Sequence, residues 1–356
     1  GDLFFSKIIK LIWQFGQVTW KMDMYRRLKK LPTIFFLSLI LCFPTFLLAG
    51  DDDYAEKIIT SQCSGCHRFE GKPKSKFELK APDLMWGGVK YKRSWLIRHL
   101  LGKEENLYPK GYRWDKLRLS LKHMILTKEE AKVVADYMEK KLIDSRIKKS
   151  FVDLSTLTEI EVKLGGKIFR EYSCLSCHQI KDKDGKLIGG PISVTLFDAG
   201  NRYTLDWLSR FAENPQDFTP HSGEYVADIS ARKARQLIGY LMTLGVQDFK
   251  FYEPWKSKEF KNADIKRGVK VYKEYCMQCH GKNGEGDGPG ANGLDPKPAI
   301  NSKLSLSDYP DDYFYNILYY GGKSFGKSNM PDWGMTLSKQ SLADVIIYLR
   351  SDFNRE

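Results

Sequence analysis

The sequence predicts an all-α protein made of three tandem units behind an N-terminal export segment. Three observations lead there. Six of the seven cysteines fall into three C-x-x-C-H patterns whose first cysteines are 111 and 102 residues apart, and regular self-similarity along a chain marks an internal repeat. Each pattern is preceded by a short helical stretch, and each unit closes on an amphipathic helix. Only one stretch is long and apolar enough to approach a membrane span, which excludes a polytopic membrane protein. The 356 residues are 42% hydrophobic and 28% charged, which excludes wholesale disorder and allows two or three domains.

Residues 1–50 read as an address. The stretch from Leu31 to Gly50 is apolar and follows Arg26, Arg27, Lys29 and Lys30. Small residues at Ala49 and Gly50 complete a secretory signal peptide, with Asp51, Asp52 and Asp53 as the mature start. An uncleaved anchor is the alternative, but Pro32 and Pro44 leave a clean run that is short for a span. Leu41 is bulky where a lipoprotein signal has a small residue, so Cys42 reads as a plain apolar residue. The stretch from Leu3 to Trp20 is amphipathic and lies upstream of Met22 and Met24. It suits an interfacial helix or an upstream mis-start and takes no part in the fold argument.

The three patterns are Cys63-Ser64-Gly65-Cys66-His67, Cys174-Leu175-Ser176-Cys177-His178 and Cys276-Met277-Gln278-Cys279-His280. C-x-x-C-H is the attachment signature of c-type heme. Two thiols three positions apart on one helical turn can add to the two vinyl groups. The following histidine then supplies an imidazole to the iron. Zinc would need further ligands at every site, and a redox dithiol would need a βαβ context that is absent. The expectation is three covalently attached c-type hemes, with His67, His178 and His280 as proximal ligands.

The surroundings repeat as well. YAEKIITSQ, GGKIFREYS and RGVKVYKEY precede the motifs, with the small residues Ala55, Gly166 and Gly268 eight positions before the first cysteine. Small residues there let another helix cross closely. The closing helices AKVVADYMEKK, ARQLIGYLMTL and LADVIIYLRS each carry a tyrosine, Tyr137, Tyr240 or Tyr348. Thr127 with Glu130 forms a capping box, and Ser230 and Ser338 can cap the other two. Over residues 54–351 this arrangement resembles tandem class I cytochrome c domains. The resemblance implies domains at 51–150, 151–250 and 251–356 after the segment 1–50. Their joints, KKLIDSRIKKSFVDLS and VQDFKFYEPWKSKEF, are not Gly/Ser-rich, so packed modules are expected.

The same resemblance frames the sixth ligands. In the third unit NMPDWGMTLS matches the family's Met-Pro loop, which implies Met330 as ligand, with Pro298 supplying the carbonyl that orients the proximal histidine. Met335, the competing thioether, is expected in the core. In the second unit Glu224 stands at the family's methionine position and His221 lies three residues earlier. His221 is therefore the candidate, or that heme is open; Met242 should face the core. In the first unit Ala81-Pro82 resembles the orienting proline. Met124 is favoured as sixth ligand, then His123, with His99 and Met85 more remote.

The formal charge is +13. Residues 51–150 carry a net +8, whereas 151–250 and 251–356 carry −1 and +1. A basic face on the first unit suits an acidic or membrane-bound redox partner, or anionic lipid near the N-terminus, and no nucleic acid. The expectation is an exported, periplasmic electron carrier with no catalytic residues, passing single electrons between respiratory partners such as a bc-type complex and a terminal oxidase. The rivals are a heme enzyme with the middle heme open, and a structural cytochrome that forms filaments.

Overall fold

The computed structural model describes residues 50–351, except 72–79, 106, 111, 113–122, 221–227, 302–308 and 327. Chain contacts separate Gly1–Gly50 from a compact unit, Asp51–Glu356. Residues 1–49, with the expected signal peptide and Cys42, lie outside the described residues. Among those that are described, no helix is long and apolar enough to cross a membrane.

The unit is mostly helical. Its helices are α1 (Asp51–Ile58), α2 (Gly87–Lys90), α3 (Arg93–Leu100), α4 (Lys128–Lys141), α5 (Glu159–Glu171), α6 (Ala199–Arg202), α7 (Leu205–Glu213), α8 (Ala231–Thr243), α9 (Lys258–Lys261), α10 (Ile265–Val271), α11 (Met277–His280), α12 (Asp311–Tyr320) and α13 (Lys339–Arg350). Among the described residues one short antiparallel hairpin interrupts them: β1 (Ile180–Lys181) pairs with β2 (Leu187–Ile188). Its turn is held by the Asp182 carboxylate, which accepts from the Asp184 and Lys186 amides.

The local signals act as their chemistry dictates. The Thr127–Glu130 capping box opens α4, and Ser230 and Ser338 accept from the third-position amides of α8 and α13. A second capping box, Thr158 with Glu161, opens α5.

Each closing helix crosses the helix that leads into a cysteine motif, pairing α1 with α4, α5 with α8, and α10 with α13. Small residues make the crossings. Ala55 is fully buried. A Cβ on Gly268 would lie 2.2 Å from the Asp344 carbonyl oxygen. In the second pair the closest approach shifts by one residue. A Cβ on Gly165 would lie 2.0 Å from the Gln236 carbonyl, whereas one on Gly166 would meet only the Tyr240 ring, at 3.2 Å. It stands nine rather than eight residues before the first cysteine, and the difference lies just downstream. The first and third leading helices end in a wide π turn, Ile59–Cys63 and Tyr272–Cys276. The second instead breaks at Ser173 in a left-handed conformation.

Three hydrophobic clusters form the interior. One gathers Ile58, Trp95, Leu100 and Val134. Another gathers Phe169, Trp207, Phe218 and Ile238, and also takes in Trp86 from the preceding stretch. The last gathers Tyr272, Phe314, Leu342 and Val345. Both joints are packed. Arg146 lies 4.3 Å over the Phe218 ring and Val152 is buried. The Tyr252 amide donates to the Leu157 carbonyl at 2.9 Å, and Pro254 is buried.

Candidate heme-attachment sites

At each motif the backbone folds both thiols and the imidazole onto one turn. The His67 amide donates to the Cys63 carbonyl at 2.9 Å and the His178 amide to the Cys174 carbonyl at 3.0 Å. Cys279 and His280 sit on α11. The six cysteines are free thiols. Burial raises the Cys63 thiol's pKa and pushes Cys276 up to about 12, so both stay protonated at neutral pH. Among the described residues, no group of three or more His, Cys, Asp or Glu side chains is gathered to hold a bare metal ion.

Glycines hold the motif turns close to their covering loops. A Cβ on Gly190 would lie 1.8 Å from the Ser176 carbonyl oxygen, and one on Gly288 would lie 2.4 Å from that of Gln278. Ser176 and Gln278 are the same position of their motifs. In both, only glycine lets the loop rest on the backbone between the cysteines.

The three motif histidines share one arrangement. Nδ1 of His67 donates to the Pro82 carbonyl at 2.7 Å, Nδ1 of His178 to that of Val194 at 2.7 Å, and Nδ1 of His280 to that of Ala299 at 3.3 Å. A carbonyl oxygen only accepts, so Nδ1 carries the proton and Nε2 keeps its lone pair. A second-shell bond of this kind sets the tautomer and orientation of a metal-binding imidazole. Burial lowers the pKa of His67 and His280, which also favours the neutral, ligating form. Pro82 is the acceptor expected in the first unit. In the third the acceptor is Ala299, one residue beyond the expected Pro298.

The remaining candidates are distributed unevenly. Met330 is half-buried against the third cluster, and its carbonyl accepts from the Gly322 amide at 3.0 Å. Met335 corrects an expectation: it is 74% exposed rather than core. It ends the short 3-10 turn Trp333–Met335, which puts Trp333 inward, 5.6 Å from the Tyr275 ring, and leaves the thioether in solvent. Met242 is buried, as expected. His221 and Glu224 lie outside the described residues.

Beside the first motif three imidazoles come together. The ring centres of His67 and His123 are 6.1 Å apart and those of His123 and His99 4.6 Å. His123 donates from Nδ1 to the Met124 carbonyl at 2.8 Å, which leaves its Nε2 free. Met124 itself is 38% exposed. His99, expected to be remote, stacks on Trp95 at 4.8 Å, and burial with nearby positive charge pushes its pKa down to about 3. The signal that could have found it is the repeat: Trp95 and His99 stand where the second unit has Trp207 and Phe211.

A metal ion about 2 Å from each of two imidazole nitrogens, with each ring centre about 1 Å behind its nitrogen, separates the centres by about 6 Å. The His67–His123 spacing fits that span, and the thiol and imidazole sets at the three motifs fit covalent heme.

Residues 263–349 match the family described as cytochrome C oxidase, cbb3-type, subunit III. No curated protein and no solved structure matches the chain. The match covers the third motif and its closing helix. Together with the paired cysteines, it supports reading the chain as a heme-binding, cytochrome c-like protein of mostly helical fold.

Proposed function

We propose that this protein is a triheme c-type cytochrome, with three tandem class I modules in residues 51–150, 151–250 and 251–356, that passes single electrons between redox partners. The observation that carries this reading is the threefold recurrence of a C-x-x-C-H turn whose histidine is tied through Nδ1 to a backbone carbonyl. Heme supplies a one-electron couple when bound. The chain's own part is to attach each heme through two thiols, orient the proximal imidazole, and set the couple through the sixth ligand and burial.

For the first heme we assign His123 as sixth ligand in place of Met124, on the 6.1 Å ring spacing and the oriented Nδ1. Met330 serves the third and His221 the second. A mixed set of ligands spreads the potentials, because methionine raises and histidine lowers them.

The protein acts as a carrier rather than an enzyme, at the periplasmic face of the inner membrane. Its basic first module, net +8 over residues 51–150, meets an acidic or membrane-bound partner such as a bc-type complex or terminal oxidase. Absorption spectra of the reduced protein with and without carbon monoxide test the carrier reading. Three six-coordinate hemes leave the spectrum unchanged; a carbon monoxide adduct at the second heme would favour catalysis there.

A further inference from the structure

The surroundings of Met330 touch the second module at two points. Asp332, two positions after Met330, accepts from Nη1 of Arg232 in the first turn of α8. Tyr320, the last residue of α12, donates its hydroxyl proton to the Thr158 hydroxyl at 3.0 Å, at the N-cap of α5. Thr158 and Tyr320 are each 3% exposed, so that bond is shielded from water.

These contacts flank the methionine. Gly321 and Gly322 directly follow Tyr320. A Cβ on Gly321 would lie 2.9 Å from both the Met330 carbonyl oxygen and the Asp332 amide nitrogen, and one on Gly322 would lie 2.0 Å from the Ser328 hydroxyl. Gly321 also has φ +73°, so only glycine lets the chain lie this close here. The Gly322 amide donates to the Met330 carbonyl at 3.0 Å. Met330 is therefore backed by the end of α12, which Thr158 holds, and is followed by Asp332, which Arg232 holds. Pro331, between Met330 and Asp332, has no amide proton to donate, and the Asp332 side chain supplies the next anchor.

Arg232 serves this contact rather than its own helix. The sequence of α8 opens ARKARQ, with no acidic residue in the first turn. Cations at a helix N-terminus oppose the macrodipole. Each of the three finds a partner on another element: Arg232 with Asp332, Lys233 with the Tyr172 hydroxyl at 3.0 Å, and Arg235 with Glu161 at 2.8 Å. Glu161 in turn accepts from the Thr158 hydroxyl at 3.2 Å, which links the two contacts through Arg235 and α8. Arg232 Nη2 is buried with no acceptor among the described residues, so the Asp332 carboxylate is what compensates that guanidinium.

We propose that Arg232 and Thr158 of the second module are positioning residues for Met330, so that the sixth ligand of the third heme is held from outside its own module. This rests on the assignment of Met330 above. Packing between the two modules then sets the potential of the third heme, because methionine ligation raises it.

The test follows the methionine-to-iron absorption band of the full oxidised triheme protein through a urea titration, with circular dichroism and potentiometry alongside. The variants are Arg232→Ala, Arg232→Lys, Asp332→Asn and Tyr320→Phe, with Lys163→Ala on the exposed face of α5 as control. At a fixed urea concentration Arg232→Ala is expected to shift the equilibrium for losing the band about fivefold, the upper range for a partly exposed ion pair. Asp332→Asn matches it, Tyr320→Phe shifts it the same way, and Arg232→Lys retains most of the wild-type behaviour. The band is lost before helix, the third heme's potential falls, and the first two hemes and the control are unchanged. If Arg232→Ala does not hold three hemes, Asp332→Asn decides. A band as persistent as the wild type's in the deciding variant would overturn the inference and leave Met330 as ligand. A band lost only in step with helix would show a merely structural contact and overturn it too. A wild-type oxidised protein without the band would overturn the Met330 assignment and the inference together.

Discussion

The rings of His67 and His123 lie edge to face, with centres 6.1 Å apart and planes inclined at 61°. Both imidazoles are tied through Nδ1 to backbone carbonyls. His67 comes from the motif turn and His123 from the loop just before α4. Ring centres at that span, each ring fixed through its Nδ1, suit two imidazoles sharing one iron. Replacing His123 by alanine is expected to convert the first heme from low-spin to high-spin and expose it to carbon monoxide. Met124→Ala, which removes an exposed side chain, is expected to leave the spin state alone. Low-temperature electron paramagnetic resonance of the two variants reads this directly, and the reverse pattern would restore Met124.

At the third site the two thioethers separate by burial. Met330→Ala is expected to abolish the methionine-to-iron absorption band near the red end of the oxidised spectrum and to lower that heme's potential. Met335→Ala changes a side chain that is 74% exposed and is expected to do neither. A band lost in Met335→Ala instead would contradict the assignment.

The offset of one residue in the second helix crossing has a mutational signature. A methyl group at Gly165 is driven toward the Gln236 carbonyl, whereas at Gly166 it meets a ring edge that can yield. Gly165→Ala is expected to cost about 1–3 kcal/mol through overpacking, and Gly166→Ala clearly less. Urea denaturation of both variants measures the difference; equal losses would mean the crossing is looser than the backbone geometry indicates.

Acid should loosen the third crossing. Asp344 is buried, which by itself would raise its carboxyl pKa, but Arg267, the Asp264 amide and Gln340 donate to it and hold it below the usual carboxylate range. A depressed folded-state value means the stabilisation is present above the unfolded carboxylate's pKa and is lost as pH falls through the folded one. Asp344→Asn is therefore expected to destabilise the protein by about 1.5–3 kcal/mol at neutral pH, the worth of hydrogen bonds to a charged group. The loss should shrink in strong acid. Denaturation midpoints at neutral and acid pH check the sign; a loss independent of pH would contradict it.

What could be read from the chain alone follows interaction range. The C-x-x-C-H turns, the Thr127 box and the Ser230 and Ser338 caps are settled by residues a few positions apart, and each takes the expected form. The small residues at the crossings were legible as a type, but the shift from Gly166 to Gly165 goes with a left-handed break at Ser173 that no local pattern announces. Met335 was misplaced because a methionine near a helix cap reads as core unless the turn before it is known. The grouping of His67, His99 and His123, and the pairing of Arg232 with Asp332, join residues from separate elements. Only the packed chain brings them together.

Covalent stoichiometry tests the central claim most directly. Intact mass of the denatured, acid–acetone-extracted protein is expected to equal the processed chain plus three hemes. Peptide mapping should place them on Cys63/Cys66, Cys174/Cys177 and Cys276/Cys279. A mass carrying two hemes, one or none would contradict it.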